Sequence, residues 1–249
     1  KEDRFFGIPY QKIAILLGNI TYGAGTERAV TNLANMLVTY GNYDVTIISI
    51  FSLSTMKPYF NLNENVKVVH LGLKNDSILN RINSYKTLIS KMNQLIKREA
   101  YDFLLGTTHA FNCLMICMSK SIKKIACEHM SYEACPWVSK IIRFCVYPFL
   151  TKVILLSEYD RKKYFFLQKK QTVAISNSLS FVPSQSAQLL NKKIIAVGRL
   201  TSVKGFDYLL KAMINVRKKL PDWHLAIYGE GEEYEHLMYI INKENLDGY

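Results

Sequence analysis

Apolar positions along this chain keep two different rhythms. Unbroken apolar runs such as residues 12–17 (KIAILL) read as strands covered on both faces, because no alternation sets a polar side apart. Runs at 44–51, 65–70, 102–105, 123–127, 152–156 and 172–175 read as further strands. Between them apolar residues return every three or four positions. Over 26–40, Ala29, Leu33, Met36, Leu37 and Tyr40 fall on one helical face, and Gly41 ends the segment. Helices are likewise expected over 79–98, 109–119, 137–149 and 158–166, the last capped by Ser157.

Around 176–191 the chain turns to Ser, Gln and Asn and loses its period, which marks an interdomain linker. The pattern then restarts as strand 193–197, helix 206–220, strand 224–228 and helix 232–245. Strands alternating with helices predict an α/β chain built on a doubly wound parallel sheet. The expected organisation is a complete domain over 1–180, a linker over 181–192 and a partial domain over 193–249. Two strand–helix pairs are too few to close a compact core. The chain is therefore expected to break off within its second domain.

Composition narrows the field. With 249 residues, 49% hydrophobic and 21% charged, and a mean hydropathy of +0.01, this is neither a disordered tail nor a membrane bundle. No uninterrupted apolar run reaches the roughly 18 residues of a spanning helix, and the first residues lack the apolar core of a signal peptide. The five cysteines form no Cys-x-x-Cys pair and read as buried thiols in a reducing compartment, with no metal site.

Thirty-two Lys and Arg against twenty Asp and Glu give a net charge of +12, which points to anionic company. The basic pairs at 123–124, 162–163, 169–170 and 192–193 are scattered and lack interleaved aromatics, so they read as solvated faces and nucleic acid is not an expected partner. Residues 141–152 mix large apolar side chains with Arg143 and Lys152, a composition that also suits a membrane surface. Pro148 interrupts the stretch, and a core helix is the favoured reading.

Candidate chemistry gathers at strand-to-helix turns, where open α/β sheets hold their ligands. The first turn, 21–28 (TYGAGTER), has Gly23 and Gly25 for close backbone approach, Thr26 as a helix cap and Glu27 in the first helical turn. Arg28 stands where a dinucleotide fingerprint needs its third glycine, and no acidic residue closes the second strand, so a nicotinamide or flavin cofactor is not expected. The second turn, 198–207 (GRLTSVKGFD), sets Arg199 and Lys204 on a loop entering a helix. A fork-shaped donor and a point charge suit a diphosphate there. A third turn, 228–232 (YGEGE), carries Gly229, Glu230 and Gly231, whose backbone can approach a base or ribose. Strand 123–127 runs into Glu128 and His129, and His109 sits at a similar strand end.

Together these turns resemble glycosyltransferase family 4, the glycosyl transferases group 1 type with the GT-B fold. The first loop is similar to that family's Gly-Gly-x-Glu-Arg at Ala24-Gly25-Thr26-Glu27-Arg28, with Ala24 replacing the first glycine. The second matches Gly-Arg-Leu…Lys-Gly at Gly198-Arg199-Leu200…Lys204-Gly205, followed in order by Leu209-Leu210-x-Ala212 and Gly229-x-Gly231. The resemblance implies a Rossmann-like acceptor-side domain followed by the first part of a Rossmann-like donor domain. It implies a retaining, metal-independent enzyme that moves a sugar from a nucleotide-diphosphate sugar to a glycan or lipid-linked acceptor. Such an enzyme would be cytoplasmic, peripheral at the inner face of the cell membrane, and would serve polysaccharide synthesis.

By the same resemblance, Arg199, Lys204 and Gly25 hold the donor diphosphate, Gly229 and Glu230 the nucleotide, and His129 the transferred sugar. The family's paired glutamates, seven residues between them, have no counterpart in this chain. Residues 1–249 alone are therefore expected to transfer little sugar. A non-catalytic sugar- or nucleotide-binding module and a charge-driven anionic binder are the alternatives.

Overall fold

A computed structural model describes residues 10–41, 43–179, 181, 183–186 and 190–248. The chain divides into two compact units, residues 1–181 and 182–249. In unit 1 the elements run β1 (Gln11–Leu17), α1 (Gly25–Tyr40), β2 (Tyr43–Ser49), β3 (Lys67–His70), α2 (Ile78–Glu99), β4 (Phe103–Gly106), α3 (His109–Leu114), β5 (Lys123–Glu128), α4 (Trp137–Val146), β6 (Lys152–Leu155), α5 (Glu158–Lys163) and β7 (Thr172–Ala174). The described strands form one parallel sheet in the order β3-β2-β1-β4-β5-β6-β7.

The doubly covered sheet follows from β1. Ala14 and Leu16 point into a core shared with Leu88, Met92 and Phe111, while Ile13, Ile15 and Leu17 point into a second core with Val30 and Ala34 of α1. A run without alternation thus fills two cores at once. Burying each such side chain contributes on the order of 1.5–3 kcal/mol.

Helix ends follow local chemistry. Ser157 Oγ accepts from Asp160 N–H at 3.1 Å, and Ser77 Oγ accepts from Asn80 N–H at the same distance. Gly41 closes α1, its N–H donating to the Leu37 carbonyl at 3.1 Å. The helix expected over 109–119 is shorter. It ends at Leu114 and passes through a 3-10 turn at Met115–Cys117.

Two other expectations need correction. Among the cysteines only Cys127 and Cys135 are buried, while Cys117 and Cys145 are exposed, because the segments bearing them turn those positions outward. Lys124 is not solvated: it is buried, and its Nζ donates to the Met118 carbonyl at 2.9 Å.

Unit 2 holds β8 (Lys193–Val197), α6 (Phe206–Lys219), β9 (His224–Tyr228) and α7 (Tyr234–Lys243). β8 and β9 pair in parallel. Leu200, Phe206, Leu210, Leu237 and Leu246 form their core, on one side of the pair. Among the described residues no helix is long and apolar enough to cross a membrane.

Candidate functional site

In unit 1 the strand order reverses between β1 and β4, and the crevice at their carboxyl ends is where such sheets hold ligands. The loop leaving β1 is braced from within. Asn19 Oδ1 accepts from the Thr21 N–H at 3.0 Å and its hydroxyl at 2.8 Å, and Ile20 N–H donates to Ser49 Oγ at 3.0 Å. Gly23 is required by packing, since a Cβ there would stand 2.6 Å from the Tyr59 ring.

Helix α1 begins at Gly25, with Ala24 at the cap position and no side chain bonded to its first amides. Thr26 does not cap it. The extended backbone at Ala24 starts the helix one residue earlier, with Arg28 N–H bonding the Ala24 carbonyl at 3.1 Å, so Thr26 lies inside the first turn. An added Cβ at Gly25 would touch nothing, so packing does not demand glycine at that position. Glu27 is buried, and desolvation pushes its carboxyl above the usual carboxylate range. Glu27, Asn19, Tyr22, Asp76, Tyr85 and Thr108 help line a cavity of about 590 Å³.

At the end of β5 the two candidate residues separate. Glu128 is consumed by the fold. Its carboxylate accepts from Arg143 Nη2 and Asn112 Nδ2, each at 2.8 Å, and from the Tyr147 hydroxyl. Arg143, also fully buried, donates through Nη1 to Cys135 Sγ at 3.0 Å. Burial opposes the guanidinium charge, but Glu128 outweighs it and holds the group protonated.

His129 lies beyond this cluster and lines a second, largely apolar cavity of about 240 Å³ with Ile15, Leu33, Thr107 and Ile175. Burial depresses its pKa, which favours the neutral imidazole, and among the described residues its Nδ1 has no partner. His109 opens α3 and is shifted the same way by burial. Sequence reading missed the Glu128–Arg143–Tyr147–Asn112 cluster. The available signal was one arginine in an otherwise apolar helical stretch.

In unit 2, β8 leads into Gly198–Leu200 and a 3-10 turn at Ser202–Lys204. Gly205 then takes φ +67°, a left-handed conformation that glycine adopts without strain, and α6 starts with no side-chain cap. Arg199 and Lys204 are exposed on this one loop and make no ion pair among the described residues.

Gly229 and Gly231 lie against the same loop. A Cβ on Gly229 would collide with the Gly198 carbonyl, and one on Gly231 with the Leu200 carbonyl. Loop-on-loop packing is thus sufficient reason for both glycines. Glu230 is exposed, and its carbonyl accepts from Leu200 N–H at 2.8 Å. Among the described residues no three His, Cys, Asp or Glu side chains converge as metal ligands.

Comparison with known proteins supports this arrangement. Residues 183–248 match the family model for glycosyl transferases group 1. An uncharacterized glycosyltransferase of Haemophilus influenzae is 34% identical over 241 residues, covering 91% of this chain and 64% of that protein. The amylovoran biosynthesis glycosyltransferase AmsD of Erwinia amylovora is 26% identical over 254 residues, covering 95% of this chain and 67% of that protein. The chain thus spans about two-thirds of each relative's length. Among solved structures, TarM of S. aureus in complex with fondaparinux, α-GlcNAc-glycerol and UDP superposes with a TM-score of 0.72 at 11% identity. The match covers 95% of this chain and 76% of that one. The fold is the α/β fold of GT-B glycosyltransferases.

Proposed function

We propose that this chain is part of a group 1 glycosyltransferase that moves a sugar from a nucleoside-diphosphate sugar to a glycan or lipid-linked acceptor in cell-envelope polysaccharide synthesis. The observation that carries the reading is the loop bearing Arg199 and Lys204. Two cations without ion pairs flank a helix start that no side chain caps, inside the segment matched by the family model. TarM, with the same fold, was crystallised with UDP.

The chemistry follows from charge. As the bond from the sugar's anomeric carbon to the diphosphate breaks, the leaving oxygen gains negative charge. Arg199, Lys204 and the α6 N-terminus offset that charge without an ion. In the retaining course, the acceptor hydroxyl attacks from the face the diphosphate leaves, gives its proton to the departing phosphate oxygen, and forms the new glycosidic bond. Gly25 lets the backbone approach the diphosphate. His129, held neutral by its surroundings, contacts the transferred sugar, and Gly229 and Glu230 contact the nucleotide. The cavity with Asn19, Tyr22, Glu27 and Tyr85 offers the mixture of amide, carboxylate and aromatic faces that a sugar acceptor needs. The enzyme works as a peripheral protein at the cytoplasmic face of an anionic membrane.

The test is turnover of the whole enzyme with UDP-sugars. Arg199→Ala or Lys204→Ala is expected to lower kcat by about a hundredfold. Wild-type rates in both variants would remove the site assignment, and tight donor binding with no transfer would favour a binding module.

A further inference from the structure

Helix α4 is built inside out. Its buried position is Arg143, fully enclosed against Glu128, and Ser139, Lys140 and Val146 are partly covered. The positions turned to solvent are Trp137, Val138, Ile141, Ile142, Phe144 and Cys145. Trp137 is 72% exposed and Phe144 56%. The core-helix reading of 137–149 is therefore corrected: the ion pair to Glu128 fixes the rotation of the helix and directs its apolar residues outward.

The patch continues beyond the helix. Phe144 meets Phe166 with ring centroids 5.1 Å apart, Phe166 meets Phe165 at 6.0 Å, and Phe165 is exposed. Such a contiguous apolar patch is uncommon on a soluble monomer and marks an interaction surface.

What surrounds the patch identifies the occupant. Glu158 and Asp160 are the only acidic residues between 134 and 206. Both are engaged locally: Glu158 with Arg161 at 2.7 Å, and Asp160 with the Ser157 hydroxyl and the Tyr132 N–H. Lys162 precedes the Phe165–Phe166 pair, and Lys169 and Lys170 follow it. Gln171 ties that last segment to the end of α4, its Nε2 donating to the Tyr147 carbonyl at 2.9 Å and the Leu150 carbonyl at 2.6 Å. Lys162, Lys169 and Lys170 are exposed and lack ion pairs among the described residues.

A rigid aromatic and aliphatic face rimmed by unpaired lysines suits the boundary between anionic headgroups and acyl chains. Trp and Phe insert there while Lys reaches the phosphates. We infer that the outer face of α4, with Phe165, docks this protein on an anionic lipid bilayer. The inference deepens the membrane part of the reading above and is independent of the transfer chemistry.

The test uses vesicles of phosphatidylcholine alone or mixed with phosphatidylglycerol. The chain is expected to float with the mixed vesicles and not with the neutral ones. Trp137 and Trp223 are the two tryptophans. Trp223→Phe therefore leaves Trp137 as sole reporter, and its emission is expected to shift blue and be quenched by brominated lipid.

Trp137→Ser with Phe144→Ser, both solvent-facing, is expected to weaken partition at least about tenfold. Lys169→Glu with Lys170→Glu is expected to weaken it by about tenfold, on the anionic vesicles. Failure of the wild type to float overturns the inference, as does a water-like Trp137 spectrum in a floating chain. An emission already blue without lipid, in a chain whose self-association Trp137→Ser/Phe144→Ser dissolves, assigns the face to a second copy and also overturns it. Loss of transfer in Arg199→Ala leaves vesicle binding intact, so the two readings fail separately.

Discussion

β1 and β8 are written alike, as KIAILL and KIIAV, and meet different fates. In β1 every residue from Ile13 to Leu17 is buried, because α1 covers one face of the sheet while α2 and α3 cover the other. In β8 the residues alternate, and Ile195 and Val197 face solvent on the side away from the unit 2 core. An unbroken apolar run therefore states what a strand can bury. Its neighbours decide what it does bury.

The contrast extends to polar groups. Unit 1 encloses an ion pair between Arg143 and Glu128, whereas unit 2 keeps its ion pairs, such as Lys192 with Asp222, in water.

The largest way to probe this difference is to break those pairs. Arg143→Met strands a buried carboxylate and is expected to cost about 3–5 kcal/mol in chemical denaturation. Lys192→Met is expected to change nothing measurable. Equal stability of Arg143→Met and wild type would show that the enclosed pair is not what holds unit 1.

Next come the strands themselves. Ile15→Ala is expected to lose about 2–5 kcal/mol and Ile195→Ala no more than about 0.5 kcal/mol, so matching losses would erase the contrast.

Glycines sharpen it from the other direction. Gly231 adopts φ +155° against the Leu200 backbone, so Gly231→Ala should destabilise unit 2 by about 1–3 kcal/mol. Gly25→Ala should leave the stability of unit 1 unchanged, because nothing occupies that space. Loss of donor affinity in Gly25→Ala without loss of stability would separate a ligand requirement from a packing one.

The smallest effect is in pH. Burial depresses the pKa of His129 and His109, so the unfolded chain takes up protons before the folded one does. Their contribution is complete above about pH 6.5 and is lost as pH falls through the lower folded values. The urea midpoint should drop between about pH 7.5 and about pH 5, and His129→Gln should flatten that drop. An unchanged slope in His129→Gln would show that this imidazole titrates as if in water.

Much of the fold was legible because strand runs and caps are local. The strands of both units and the caps at Ser157 and Gly41 lie where periodicity and turn chemistry place them. The start of α1 was not legible. Ala24 caps by backbone conformation alone, which residue preference does not register.

The orientation of α4 was hidden for a different reason. Helical period assigns the apolar stripe to the core, yet Glu128 and Arg143, fifteen residues apart in sequence, override it through an ion pair. Among the candidate residues, the Arg199–Lys204 loop could be read because its residue types match its place at a strand end. Glu128 and His129 could not be told apart, since only packing shows which one the fold consumes.

Leu200 has one further consequence. Its N–H donates to the Glu230 carbonyl at 2.8 Å, and its own carbonyl accepts from Glu233 N–H at 3.0 Å. Gly198 N–H donates to the Tyr228 carbonyl at 3.0 Å. The turn bearing Arg199 is thereby stitched to the turn bearing Gly229, and neither can shift without dragging the other. Main-chain bonds hold the two turns as one gauge of fixed length. A molecule bridging them is measured by its own span, and neither end can be retuned by a side-chain swap without leaving the other in place.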